Sequence, residues 1–74
     1  MDNYVYAERI DYNICEDLIS PHKGYHLRIS EADFILCKKI QDSHKNNFEV
    51  EKKDIDAVRN LYVTLNNSEI KERK

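Results

Sequence analysis

The sequence contains little of what most folds use to make turns, since its 74 residues include one glycine, one proline and no tryptophan. All-β sandwiches and barrels need many glycine- and proline-containing turns, so this composition argues against them. A single glycine also rules out the glycine-rich loops that hold phosphates in nucleotide-binding proteins. The remaining composition, 41% apolar and 35% charged residues, is typical of a small helical domain rather than of a disordered chain.

Long apolar runs and cysteines are scarce as well. No apolar run exceeds four residues, as in Phe34 to Cys37, which is too short to cross a bilayer. The first residues include acids where a secretory leader would need an apolar segment. We therefore expect a cytoplasmic protein that does not engage a membrane. Its two cysteines, Cys15 and Cys37, should be free and packed as small hydrophobic residues.

Apolar residues in the last third of the chain repeat with the period of a helix. One face of a helix that we predict from about 51 to 66 collects Ile55, Val58, Leu61, Tyr62 and Leu65. Acids cluster near its start, where the helix dipole favours negative charge, and the Asn66-Asn67 pair can end it. Residues 67–74 are then a polar tail.

The stretch "LRISEADFILCKKI" (27–40) returns in altered form as "FEVEKKDIDAVRNL" (48–61). In the first copy, Ser30 and Asp33 have the spacing of a capping box, which predicts a helix from about 31 to 45. One face of this helix would contain Phe34, Cys37, Ile40 and His44, with Leu36 beside them, and the outward side Lys38, Lys39, Gln41 and Asp42. Two helices with similar first turns explain the similarity of the two stretches. A solenoid, the alternative, would need at least three copies.

The front of the chain carries two competing patterns. Residues 1–11 alternate apolar and polar side chains, which predicts an extended arm, whereas the apolar spacing that follows predicts a helix from about 12 to 19. The fold class expected is all-α: a small three-helix domain with an extended N-terminal arm. If the segments "HLRI" (26–29) and "FEV" (48–50) pair, the fold becomes α+β with a tiny two- or three-stranded sheet.

Histidines and cysteines raise the question of a metal or catalytic site. His22 and His26 have the spacing of two zinc ligands on a helix, but Pro21 and Gly24 argue against a helix there. Each cysteine is seven residues from a histidine, which on a helix separates the side chains by roughly 10 Å, beyond hydrogen-bond reach. We expect no catalytic, cofactor-binding or metal-binding residues, and a protein that is not an enzyme.

Tyrosines and acids are concentrated at the front of the chain. Residues 1–33 hold seven acids and three bases, and they contain four of the five tyrosines. Tyrosine is favoured at protein interfaces because it offers a large contact area at a low cost in conformational entropy. The predicted partner interface is therefore acidic and aromatic, and consists of Tyr4, Tyr6, Asp11, Tyr12, Glu16, Asp17 and Tyr25. The competing interpretation is that most of these rings pack on the helices and expose only the hydroxyl.

The function that these observations favour is non-catalytic: the protein binds a macromolecular partner, in the first place a protein, and regulates or inhibits it. Small inhibitor proteins of phages and mobile elements have this general character. One alternative is a helix-turn-helix regulator that reads DNA with Lys52, Lys53, Arg59 and Asn60, although neighbouring acids would repel phosphates. Another is a structural subunit that self-associates through the tyrosines, so the protein is expected as a monomer or a homodimer.

Overall fold

Three helices form most of the chain, and two three-residue strands join its front to its middle. The computed structural model describes residues 3–22 and 24–72, with side chains described as far as residue 67. In chain order the elements are β1 (Tyr4–Tyr6), α1 (Arg9–Ile19), a 3₁₀ turn (Tyr25–Leu27), α2 (Glu31–Asn46), β2 (Glu49–Glu51) and α3 (Lys52–Glu72). The small three-helix domain that the sequence predicts is confirmed, with the addition of a two-stranded sheet.

Helix α1 begins at Arg9, three residues before the predicted start, so the extended arm is shorter than 1–11. The Asp11 carboxylate accepts a hydrogen bond from the Glu8 backbone N–H at 2.9 Å, as in a capping box. Glu8 and Asp11, the acidic residues at the two capping positions, were the sequence signal for this earlier helix start. The helix ends at Ile19, ahead of Ser20 and Pro21, because a residue before proline avoids helical geometry. Residues 1 and 2 lie outside the described part of the chain.

Helix α2 begins as predicted, with the Ser30 hydroxyl accepting a hydrogen bond from the Asp33 N–H at 3.1 Å. It ends at a left-handed residue, Asn47, with φ of 59°. The prediction that Gln41 points outward is wrong, because the side chain is buried against α1 and donates to the Glu16 carboxylate at 2.9 Å. Periodicity identified an amphipathic helix but could not show that a polar residue lies within its buried face.

The sheet joins segments that the sequence pattern did not pair. Strand β1 runs antiparallel to β2, with Val5 opposite Val50, and the "FEV" segment contributes the second strand. The alternative in which "HLRI" pairs with "FEV" is wrong, because β1 takes the place of "HLRI" in the sheet. Residues 25–27 form the 3₁₀ turn, which follows Gly24 at a φ of +79° and buries the Tyr25 ring in the core.

Helix α3 continues beyond the predicted stop at Asn66-Asn67, as far as Glu72. The Asn66 side chain accepts a hydrogen bond from the Tyr25 hydroxyl, so it bonds across the fold instead of ending its own helix. The predicted polar tail is thus helical to Glu72, and residues 73 and 74 lie outside the described residues. Within the described residues, no helix is long and apolar enough to cross a membrane.

The core lies where all three helices and the sheet meet. Cys15 and Cys37 are free and have no exposed surface, which confirms that they pack as small hydrophobic residues. A hydrogen bond between the two thiols, together with burial, raises the pKa of Cys15 and keeps it protonated. The other buried apolar residues are Ala7, Leu18, Tyr25, Ile40, Val50, Ile55, Val58 and Leu65.

Candidate interaction surface

The outer face of the sheet is aromatic and acidic. Alternation along β1 turns Val5 toward the core and leaves Tyr4 and Tyr6 with 55% and 58% of their surface exposed. Directly across the ladder, Tyr4 faces Glu51 and Tyr6 faces Glu49. We call these four residues the tyrosine–glutamate face. It combines large apolar contact area with two carboxylates on a surface only two strands wide.

The two glutamates differ in their surroundings. Glu51 forms an ion pair with the exposed Lys53 at 3.3 Å, which water and salt weaken. Glu49 is exposed and makes no hydrogen bond or ion pair with the described residues. The face therefore keeps negative charge available to a partner, with most of it beside Tyr6.

A buried serine on α2 holds the end of the sheet in place. The Ser43 hydroxyl accepts a hydrogen bond from the Ala7 N–H at 3.3 Å and donates one to the Phe48 carbonyl. These two backbone groups stand where the next ladder bond would form, so the hydroxyl takes the place of that bond. The adjacent His44 ring nitrogen, Nδ1, lies 3.1 Å from the Ala7 carbonyl oxygen. The tyrosine–glutamate face is thus attached to the core through α2.

The outer edge of β1 presents unpaired backbone groups. At the other end of the ladder the Lys52 N–H donates to the Asn3 carbonyl at 2.7 Å. Because bonded and non-bonded pairs alternate in an antiparallel ladder, Val5 bonds to Val50, and the backbone groups of Tyr4 and Tyr6 point away from β2. Within the described residues, neither tyrosine has another hydrogen-bond partner for these groups.

A groove of about 180 Å³ lies beside β1. Its walls come from β1, the start of α1 and the first turns of α3, and no residue of β2 lines it. Val5 and Ile55 supply the apolar part of its wall, while Glu8, Asp56 and Lys52 supply charge. The groove has one apolar wall and mixed charges along its rim.

An ion pair forms part of the groove wall. Asp11 is only 2% exposed, and its carboxylate accepts a hydrogen bond from Arg59 Nε at 2.7 Å. This bond, and then the charges of Asp11, Glu8 and Asp56, raise the pKa of Arg59 further above its usual value. With Lys52 included, the three acids outnumber the two bases, so the groove is weakly acidic.

The other predicted interface residues serve the fold in several ways. Tyr12 is half-buried beside the His44 ring, with centroids 5.7 Å apart. Asp17 accepts a hydrogen bond from the Tyr62 hydroxyl at 2.9 Å, which raises the pKa of Tyr62. Tyr25 is buried and meets the Tyr62 ring edge-on at 6.1 Å. Of the predicted set, only Tyr4, Tyr6 and Glu16 have mainly exposed side chains.

Sequence reasoning missed Glu49 and Glu51, which complete the tyrosine–glutamate face. The alternation in "FEVE" was a signal for them, since it predicts that Val50 turns inward and the glutamates outward. Two of the four residues considered for DNA reading are paired with acids: Arg59 with Asp11 and Lys53 with Glu51. Comparison with known proteins finds no matching family model, no matching curated protein and no matching solved structure.

Hydrogen exchange should distinguish the two sides of β1. The Val5 amide, bonded to β2, is expected to exchange at least about tenfold more slowly than the amides of Tyr4 and Tyr6, which point to water. Residue-resolved exchange measured by NMR on dilute protein tests this. Equal protection of all three amides would mean that the outer edge of β1 is covered. Slow exchange at the two tyrosines alone would mean that Tyr4 and Tyr6, and not Val5, are hydrogen-bonded to β2.

Proposed function

We propose that this protein is a non-catalytic binding protein that regulates or inhibits a protein partner, and that it contacts this partner through the tyrosine–glutamate face. The observation that carries the proposal is the exposure of more than half of both Tyr4 and Tyr6 on a strand held by Ser43. Exposed aromatic rings on an ordered backbone lose little entropy on binding, so they are well suited to anchor an interface.

Charge favours a basic partner surface. Glu49 and Glu51 flank the two rings, and the front of the chain has a net charge of −4 over residues 1–33. Complementary charge speeds the encounter and limits the choice of partners more than it adds affinity. The DNA-reading alternative has less support, because Arg59 and Lys53 already lie against carboxylates that would also repel phosphates.

Affinity capture tests the proposal. Protein tagged at its C-terminus is used to recover partners from a lysate of its source cells, with and without nuclease, and the recovered protein is then purified for calorimetry. Changing both Tyr4 and Tyr6 to alanine is expected to weaken its binding by at least about tenfold, since each truncation removes an aromatic anchor. Changing Glu49 and Glu51 to glutamine should lower the association rate and its dependence on salt.

A matched control removes apolar surface elsewhere. Leu27 and Ile35 are 79% and 60% exposed and do not belong to the tyrosine–glutamate face. Ile35 lies on α2 eight residues before Ser43, away from the link to the sheet. Alanine at both positions should therefore leave binding unchanged. If the wild type and the double tyrosine variant bind the captured partner with equal affinity, the tyrosine–glutamate face is not the interface. Capture of nucleic acid that is lost in moderate salt would instead favour the DNA-reading alternative.

A further inference from the structure

The backbone of β1, as well as its side chains, is open to a partner. Resting on the proposed function, we propose that the partner docks by adding a strand. An extended segment of the partner protein pairs antiparallel with the outer edge of β1. It places basic residues opposite Tyr4 and Tyr6 and an apolar residue between them, opposite Val5. Basic, apolar, basic is thus the chemical pattern that this edge would select.

The first argument for strand addition is the number of hydrogen bonds that the outer edge of β1 can form with a guest strand. Tyr4 and Tyr6 each direct one N–H and one C=O away from β2, so an antiparallel guest strand can form four backbone hydrogen bonds over three residues. Natural edge strands are commonly protected by a short length, by proline or lysine, or by a bulge. Strand β1 is short, but its three residues still present four open backbone groups. Strand β1, Tyr-Val-Tyr, contains neither proline nor lysine, and it pairs with β2 in continuous register. The edge is therefore available for strand addition.

Side chains on the outer face determine the basic positions. Guest residues opposite Tyr4 and Tyr6 project to the same side as the two rings, next to the tyrosine–glutamate face. A lysine or arginine there can lie over a tyrosine ring and direct its charge toward Glu49 or Glu51 on the following strand. An acidic guest residue would meet these carboxylates and be repelled.

The groove determines which type of residue the guest strand can place opposite Val5. The guest residue opposite Val5 projects to the inner side of the sheet, where the groove offers Val5 and Ile55 as its apolar wall. The 180 Å³ of the groove leaves room for an aliphatic side chain. Its rim carries Glu8 and Asp56 together with Lys52, and the excess of acids again disfavours an acidic guest. Both sides of the edge thus select the same alternating pattern.

The same charges favour a foreign strand over a second copy of this chain. Two copies paired edge to edge would bring together two N-terminal segments that each carry a net charge of −4 over residues 1–33. Strand β1 also supplies no basic side chain to face Glu49 or Glu51. A basic segment offers complementary charge at each of these places.

A defined peptide tests strand addition without knowledge of the partner. The probe is the blocked pentapeptide Thr-Lys-Val-Lys-Thr, titrated into the full ¹⁵N-labelled chain. We expect saturable shifts, and slowed exchange at the Tyr4 and Tyr6 amides rather than at Val5. Methylating both lysine backbone nitrogens should weaken binding at least about tenfold, because these N–H groups face β1. Methylating the valine nitrogen, which faces away, should not. The peptide with glutamate for lysine should bind at least about tenfold more weakly.

A matched pair of variants separates backbone from side chain. Tyr6→Ala and Tyr6→Pro both remove the ring, but only Tyr6→Pro also removes the N–H that faces the open edge, and that N–H takes no part in pairing with β2. Tyr6→Pro is therefore expected to bind the peptide at least about tenfold more weakly than Tyr6→Ala. An unchanged Val5 amide exchange rate shows that the sheet remains formed.

The outcomes separate this inference from the proposed function. If the double tyrosine variant loses its captured partner while Tyr6→Pro and Tyr6→Ala bind the peptide equally, the face is the interface and strand addition is wrong. Absence of saturable binding by the lysine peptide also overturns strand addition. Protection of Tyr4 and Tyr6 that rises with protein concentration, without peptide, would make a second copy the occupant and overturn the choice of a basic segment.

Discussion

Replacing Ser43 with alanine is expected to lower the free energy of unfolding by about 2–3 kcal/mol. The hydroxyl is completely buried and serves two backbone groups, the Ala7 N–H and the Phe48 carbonyl. Alanine leaves both without this partner. Leaving one buried polar group without a hydrogen-bond partner costs roughly 1–3 kcal/mol. The Phe48 carbonyl is only partly buried and can be hydrated, so the combined cost for the two backbone groups is less than twice that of one buried group. Urea unfolding followed by circular dichroism measures the change.

The same substitution should loosen the sheet more than the helices. Once the link at Ser43 is gone, β1 is held to the core by Val5, by the ladder and by the contact of His44 with the Ala7 carbonyl. The Val5 amide should then exchange faster while the α2 amides keep their rates relative to global unfolding. Lys45→Ala, an exposed neighbour on α2, is the control and should change stability by less than about 0.5 kcal/mol. A Ser43→Ala variant as stable as this control would show that the hydroxyl contributes little.

The Asp11–Arg59 pair should respond unequally to removal of its two partners. Arg59→Ala leaves a carboxylate that is 2% exposed without its cation, whereas Asp11→Ala leaves a guanidinium that is 46% exposed and can be hydrated. Breaking a fully buried pair costs about 3–5 kcal/mol, but solvent screens the arginine end, so we expect a loss of about 2 kcal/mol for Arg59→Ala. Asp11→Ala should cost about 1 kcal/mol, mainly through the lost cap on α1.

A double-mutant cycle checks the origin of this difference. If the unpaired buried charge is the cause, the variant with both substitutions should be no less stable than Arg59→Ala alone, because the stranded carboxylate is gone. Additive losses would instead mean that the two residues act independently. Arg59→Lys, which keeps the charge but lacks Nε, should fall between the wild type and Arg59→Ala. Chemical denaturation of all four proteins under one set of conditions supplies the cycle.

These two contacts connect stability with the proposed interface. Ser43, on α2, fixes the end of the sheet, and the Asp11–Arg59 pair, which joins α1 to α3, forms part of the groove wall. The tyrosine–glutamate face is thus ordered by residues that do not belong to it. Destabilising either contact should weaken partner binding even though the tyrosine–glutamate face remains intact in sequence.

Sequence alone determined the local elements with strong periodicity or caps. The apolar stripe of α3 and the Ser30 cap of α2 depend on residues within a few positions of one another, so their patterns are visible along the chain. Scarcity of glycine and proline likewise indicated a helical fold. The apolar alternation at the front was also correct as a local signal, since residues 4–6 are extended.

Only the tertiary structure decided which side chains are buried and which segments pair. Alternation identifies a strand but contains no information about its partner, so the pairing of Val5 with Val50 could not be read from either segment. Tyrosine-rich composition likewise could not distinguish Tyr4, on the outer face, from Tyr25, whose ring is buried against Tyr62. Burial is a property of contacts between residues far apart in the chain, and those contacts form only when the helices pack.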